Sequence, residues 1–173
     1  MQEGIIIGCT SNQYEIKSEG KIYNAIAKGK MKKEKIGLAV GDFVKFEVVE
    51  NTSAVICEIL DRKTFIKRPK ISNISQIILV VSMNMPKPDL LMLDKQIAFA
   101  EFSEIKPIIV LNKVDLEDEE KIDEIKNIYE KIGYRVIKTI AKQGIGIDDV
   151  KNVLKGNVSA FSGNSGVRKI QFD

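Results

Sequence analysis

The first sixty residues alternate between short apolar stretches and polar breaks. Apolar or alternating runs occupy residues 3–8, 13–16, 21–27, 42–49 and 53–59. Between them, Ser18-Glu19-Gly20-Lys21 and Glu50-Asn51-Thr52 have turn composition, and Gly41-Asp42 punctuates entry into a strand. Short strands at this spacing predict a small closed barrel of the oligonucleotide-binding (OB) type, because closure pairs the strand edges and leaves loops free to bind. A barrel serving only as a structural cap has the same strand count. Phe43, Lys45, Glu47 and Val49 alternate with Val44, Phe46 and Val48, so both faces of that strand carry apolar groups. Tyr14, Tyr23 and Phe43 suit either stacking on bases or filling the barrel, and Phe43 is assigned to the core.

From residue 74 the rhythm becomes strand, helix, strand, helix, strand. Residues 77–81, IILVV, form a continuous apolar run, as a parallel strand covered on both faces requires. Pro88-Asp89 precedes LLMLDKQIAFAEF, where Leu90, Leu93, Ile97 and Glu101 trace one helix side and Leu91, Ala98 and Phe102 widen the stripe. Pro107 opens a second buried strand over 108–111. Acidic residues 117–120 begin another helix, at its positive end, with Ile122, Ile125, Ile128, Tyr129 and Ile132 at helical spacing and Gly133 as its stop. A strand over 135–139, a helix over 147–154 stopped by Gly156, and a strand over 158–161 complete an α/β sandwich. Ligands are expected beyond the carboxyl ends of its strands.

Composition narrows the chemistry. The 173 residues, 44% hydrophobic and 29% charged, suffice for one good-sized domain or two small ones. No apolar run is long enough for a membrane helix, and the start, MQEGIIIGCT, lacks the pattern of a secretory signal. Cys9 and Cys57 do not make a disulfide framework, and both are assigned structural roles. With no His, imidazole catalysis and His-containing zinc sites are excluded, and two thiolates cannot complete a four-thiolate zinc site. No metal site, no membrane partner and a reducing cytoplasm are the expectations. Asp148-Asp149 sit at a helix start, where they complement the dipole, and no separated carboxylate pair suggests glycoside chemistry.

The net charge of +3 is unevenly distributed: the first 70 residues carry 13 Lys and Arg against 9 Asp and Glu, while the remainder carries 14 against 15. Lys28, Lys30, Lys32, Lys33 and Lys35 cluster with only Glu34 among them. The connecting stretch DRKTFIKRPKIS adds Arg62, Lys63, Lys67, Arg68 and Lys70. Such clusters hold a phosphate backbone without reading bases; the alternative is a hydrated loop kept soluble by lysines.

Directly after the strand PIIVL comes Asn112-Lys113-Val114-Asp115-Leu116. A carboxylate at a strand end can accept the paired N–H groups of guanine N1 and its exocyclic amine. Adenine has no such donor pair and would leave polar groups unmatched, at roughly 1–3 kcal/mol each. Asn112 is expected to pin the adjoining loops, and Lys113 to lay its stem over the ring with its ammonium in water. A polar turn with Asp115 capping the next helix is the plainer alternative. Ala141-Lys142, followed by Gly144 and Gly146, supplies a second loop, whose Ala141 N–H is expected to meet guanine O6. After the last strand, Gly163-Asn164-Ser165-Gly166-Val167-Arg168-Lys169-Ile170 follows the phosphate-loop pattern in part. Gly163 and Lys169 are in register, Arg168 replaces the second glycine, and Ile170 replaces the hydroxyl residue.

The phosphate loop ordinarily precedes the Asn-Lys-x-Asp loop; here it follows. That order, with NKVDL, GNSGV, the front barrel and the basic connection, resembles the circularly permuted, ribosome-associated GTPases of bacterial small-subunit assembly. The resemblance implies an OB-fold RNA-binding domain at 1–60, a basic linker at 61–73 and an incomplete permuted α/β P-loop GTPase domain at 74–173. It implies GTP or GDP as ligand and the small ribosomal subunit and its rRNA as partners. Asn112, Lys113, Asp115, Ala141 and Lys142 would read guanine. Gly163, Asn164, Ser165, Gly166, Val167 and Lys169 would approach the phosphates, and Lys28, Lys30, Lys32, Lys33, Lys35, Arg62, Lys63, Lys67 and Arg68 the RNA. The family plan continues past Asp173 with a helix, two switch segments and a zinc-binding domain. Because Ile170 offers magnesium no oxygen and the sequence ends at Asp173, weak nucleotide binding with negligible hydrolysis is expected. A nucleotide-independent RNA-binding module and a structural fragment are the rival expectations.

Overall fold

The computed structural model describes residues 1–29 and 37–163. The chain divides into two compact units, Met1–Ile74 and Ser75–Asp173.

In the first unit, β1 (Gln2–Thr10), β2 (Gln13–Ser18), β3 (Lys21–Ala27), β4 (Phe43–Glu50) and β5 (Ser53–Ile59) close into a barrel in the order β1-β2-β3-β5-β4. Antiparallel pairing of β1 with β4, Gln2 opposite Phe46 and Ile5 opposite Phe43, completes the ring. Ile6, Ile16, Tyr23, Ala25, Val44, Phe46, Ala54 and Ile56 fill it. The period of two puts Val44 and Phe46 on the same inner face, where the Phe46 ring meets Tyr23 at 5.1 Å between centroids. The same period turns Phe43 outward, 45% exposed, which corrects its assignment to the core. Tyr14 is half-buried against the interior. Cys9 is exposed and Cys57 partly buried.

The connection after the barrel is ordered. β6 (Phe65–Lys67) and β7 (Lys70–Ser72) form a small antiparallel hairpin within the first unit. It is held by Ser72 N–H donating to Val40 O at 2.9 Å and by the Asn73 amide donating to Gly41 O at 2.9 Å. Gly41 has φ +93°, and a Cβ there would lie 2.1 Å from the Ser72 carbonyl oxygen, so this approach excludes every other residue.

The second unit is a parallel sheet in the order β10-β9-β8-β11, built from β8 (Gln76–Ser82), β9 (Lys106–Asn112), β10 (Arg135–Thr139) and β11 (Ser159–Gly163). Every residue of β8 is buried, as its apolar run requires. Ile78, Val80, Ile108, Val110 and Ile137 pack with Val150 and Val153 of α3 (Ile147–Leu154). The alternate positions Leu79, Ile109 and Leu111 point the other way and are also fully buried, beneath α1 (Leu90–Phe102) and α2 (Glu119–Lys131). Asp89 caps α1 by accepting the Met92 N–H. Among the described residues no helix is long and apolar enough to cross a membrane.

Candidate functional site

Parallel pairing brings three strand ends level. Ser82 of β8 lies opposite Asn112 of β9, and Thr139 of β10 opposite Asn112 on the other side. The loops leaving these strands therefore open at one sheet edge, where a parallel α/β sheet binds ligands. Lys113 adopts left-handed backbone geometry (φ 62°, ψ 40°), uncommon for a residue with a side chain. This reverses the chain into a single 3-10 turn, Val114–Leu116. Asp115 is exposed on that turn, and its carboxylate has no hydrogen-bond or ion-pair partner among the described residues. It does not cap α2, whose N-cap residue is Asp118, so the plainer role is not the one the structure gives it.

Asn112 is 2% exposed. Its Oδ1 accepts from Thr139 Oγ1 at 3.2 Å and from the Ala141 N–H at 3.2 Å. The amide thus pins the two loops together, as expected, and with the oxygen engaged the Nδ2 donor is what it can offer a ligand. The Ala141 N–H, expected to point at a base oxygen, is directed at Asn112 instead. Thr139 escaped the sequence analysis. Its signal was a hydroxyl ending a strand level with Asn112, visible only once β9 and β10 are paired. Ala141–Gln143 forms a second 3-10 turn. Gly146 then starts α3 at φ +75°, where a Cβ would lie 2.2 Å from the Lys138 carbonyl oxygen.

Asn112, Lys113, Asp115, Leu116, Ile140, Ala141, Lys142 and Gln143 line one cavity of about 190 Å³. That is smaller than the roughly 300 Å³ or more of a drug-sized site. The Lys113 ammonium, expected to stay in water, donates to the main-chain carbonyls of Asn84 (3.1 Å) and Met85. Two fixed acceptors hold the stem where solvent would leave it free.

Gly163 ends β11 opposite Val80. Asn164, Ser165, Gly166, Val167, Arg168, Lys169 and Ile170 lie outside the described residues. In sequence, Ile170 stands where the phosphate-loop pattern has a hydroxyl residue for magnesium, and a hydrocarbon side chain offers the ion no oxygen.

The basic residues separate into distinct settings. Lys30, Lys32, Lys33 and Lys35 lie outside the described residues. Lys28, Lys63, Lys67 and Arg68 are exposed. Lys67 and Lys70 face each other directly in the hairpin register, a like-charge pairing that costs stability unless an anion relieves it. Arg62 is engaged differently. Its Nε and Nη2 each donate to Asp42 at 2.7 Å, Nη2 also reaches Gly37 O at 2.8 Å, and its guanidinium lies 4.4 Å from the Phe65 ring centre.

Comparison with known proteins agrees with this architecture. Residues 3–56 match the RsgA N-terminal domain and residues 59–171 match the RsgA GTPase. A small ribosomal subunit biogenesis GTPase RsgA from Geobacillus kaustophilus is 39% identical over 172 residues, covering 98% of this chain and 59% of that protein. The protein of the same name from Caldanaerobacter subterraneus is 36% identical over 167 residues, covering 96% and 57%. The crystal structure of YjeQ from Thermotoga maritima superposes with a TM-score of 0.85 at 34% identity, covering 96% of this chain and 61% of that one. YloQ, described as a circularly permuted GTPase, gives 0.84 at 31% identity. The chain thus spans about three fifths of the length of these relatives. With both parts of the sequence matched, with residues 112–115 preceding residues 163–169 along the sequence, and with a parallel sheet of this order, the chain belongs to the RsgA family of circularly permuted GTPases.

Proposed function

We propose that this chain reads a guanine nucleotide between the 112–116 and 140–143 loops and docks on RNA of the small ribosomal subunit, in the cytoplasm, during that subunit's biogenesis. One observation carries the nucleotide part: an exposed carboxylate, Asp115, without a partner among the described residues, on the wall of the cavity at the carboxyl ends of the sheet strands. Asp115 accepts the N1 and exocyclic amine N–H groups of guanine. Asn112 Nδ2 faces an acceptor on the ring edge, and the Ala141 N–H holds the Asn112 oxygen from behind. Lys142 walls the loop from outside. The held stem of Lys113 covers one ring face.

Phosphate binding falls to Gly163, Asn164, Ser165, Gly166, Val167 and Lys169, with Arg168 adding a charge that pairs with phosphate oxygens. With Ile170 in the hydroxyl position, hydrolysis is expected to be negligible. RNA docking rests on Lys28, Lys63, Lys67, Arg68 and Lys70, and on Lys30, Lys32, Lys33 and Lys35. Arg62 is left out of that set because Asp42 already holds it.

Calorimetric titration with GDP, GTP and ADP, with and without magnesium, tests the nucleotide part. GDP and GTP are expected to bind more tightly than ADP, with little gain from magnesium. Asp115→Ala should weaken GDP by roughly 5–150-fold for each N–H group left without its acceptor, and narrow the preference for GDP over ADP. Equal uptake of GDP and ADP, or magnesium-dependent turnover well above buffer, refutes the proposal. A nucleotide-independent RNA-binding module is the second reading, favoured by the opposed Lys67 and Lys70. Its mark is unchanged affinity for small subunits with and without GDP.

A further inference from the structure

We propose that Asn84 is a positioning residue for the guanine-reading loop; this rests on the function proposed above. Two neighbouring loops are cross-stitched at the ends of β8 and β9. The Met83 N–H donates to Asn112 O at 2.9 Å. The Asn84 amide donates to Leu116 O at 2.7 Å, and Asn84 O accepts from Lys113 Nζ at 3.1 Å. Ser82 Oγ, at 2.6 Å from Asn84 O, fixes that carbonyl from behind. The loop is therefore gripped on both flanks of Asp115, at Lys113 before it and at Leu116 after it.

The flanking grip matters because Asp115 itself has no partner among the described residues to orient it. A carboxylate that must accept two parallel N–H groups needs its turn held in one geometry. The backbone bond from the Leu116 N–H to Lys113 O, at 3.1 Å, closes the turn locally. The Asn84 amide adds the bond that ties this turn to the neighbouring strand end. Asn84 is not among the residues lining the cavity; its side chain acts through Leu116, while its main-chain carbonyl receives Lys113.

Asn84→Asp keeps the shape and replaces the donor with an acceptor facing the Leu116 carbonyl, and Asn84→Ala removes the group. Both are compared with the unaltered chain by calorimetry with GDP, ADP and IDP. Hypoxanthine lacks the exocyclic amine, so IDP makes only one of the two N–H bonds to Asp115. Loss of positioning lowers GDP affinity by about fivefold, the scale of one neutral hydrogen bond, and IDP affinity less. The GDP/IDP ratio therefore falls, whereas general destabilisation lowers both ligands together. Amides 113–117 of the nucleotide-free Asn84→Asp protein should also exchange hydrogen faster, with the rest of the sheet unchanged. Preserved ratios and unchanged exchange in the variants, alongside a parent that prefers GDP to ADP, overturn the role of Asn84 alone. A parent without that preference overturns the guanine site and this proposal with it.

Discussion

Asp42 is fully buried and accepts from Arg62 Nε and Ser72 Oγ on one oxygen, and from Arg62 Nη2 and the Ala39 N–H on the other. One carboxylate thus gathers the chain before β4, the residue leading into the hairpin, and the end of β7. Removing one partner of such a buried pair is costly because the other charge is left unmatched, roughly 3–5 kcal/mol. Asp42→Ala should therefore speed amide exchange throughout the barrel strands while leaving β8–β10 unchanged, with Asp42→Asn intermediate. Equal exchange in the barrel strands would mean that hairpin and barrel hold without the pair. Arg62 also marks a limit of reading charge along a chain. Among Lys63, Lys67 and Arg68 it looks like another RNA-binding cation, and only the fold reveals a carboxylate twenty positions earlier that claims it.

Helix α1 tests how far periodicity reaches. Its sequence is apolar nearly all round, yet only Leu93, Ile97 and Ala100 are buried, while Leu91 is 65% and Phe102 90% exposed. Ala98 is exposed as well, so the widened stripe expected from Leu91, Ala98 and Phe102 is corrected: the sheet takes the narrower face. On α2, Ile122, Ile125 and Tyr129 are buried, but Ile128 and the C-cap residue Ile132 are exposed. The Tyr129 hydroxyl donates to Asp94 Oδ1 at 2.8 Å, tying α2 to α1. Burial first, then that bond and the Asp94 charge, push the phenol's pKa well up. The unfolded chain releases this proton near pH 10 while the folded protein keeps it. The contribution is intact below that pH and fades as pH rises toward the folded value. Tyr129→Phe should lower thermal stability at neutral pH by about 1 kcal/mol and flatten the decline between about pH 9.5 and 11. An unchanged alkaline decline in a melting series would contradict this.

The two units divide the chemistry as they divide the chain. The first carries the cationic hairpin; the second carries the cavity proposed to take a guanine base. If the hairpin tip binds RNA phosphates, replacing Lys67, Arg68 and Lys70 with Gln should weaken small-subunit binding at low salt. It should also reduce the slope of log affinity against log salt by about 0.7–0.9 for each phosphate left without its cation. Filter binding across a salt series checks this, and an unaltered slope would locate the RNA surface elsewhere on the molecule.

Much of this architecture is written locally. The barrel strands, the buried runs of β8 and β9, the glycine stop after α2 and the Asn-Lys-x-Asp loop all follow from periods of two and 3.6 and from turn chemistry, which neighbours along the chain specify. What the residues could not say alone is which polar groups meet. Asn112 Oδ1 on Thr139 and Ala141, Lys113 on the 84–85 carbonyls, Asn84 on Leu116 and Arg62 on Asp42 join segments far apart in sequence. Such partners are selected by strand register and burial, because a polar group removed from water takes whatever acceptor the fold brings within reach. The Asn-Lys-x-Asp pattern was therefore legible in four consecutive residues, whereas the contacts that hold them in place existed only after the sheet had formed.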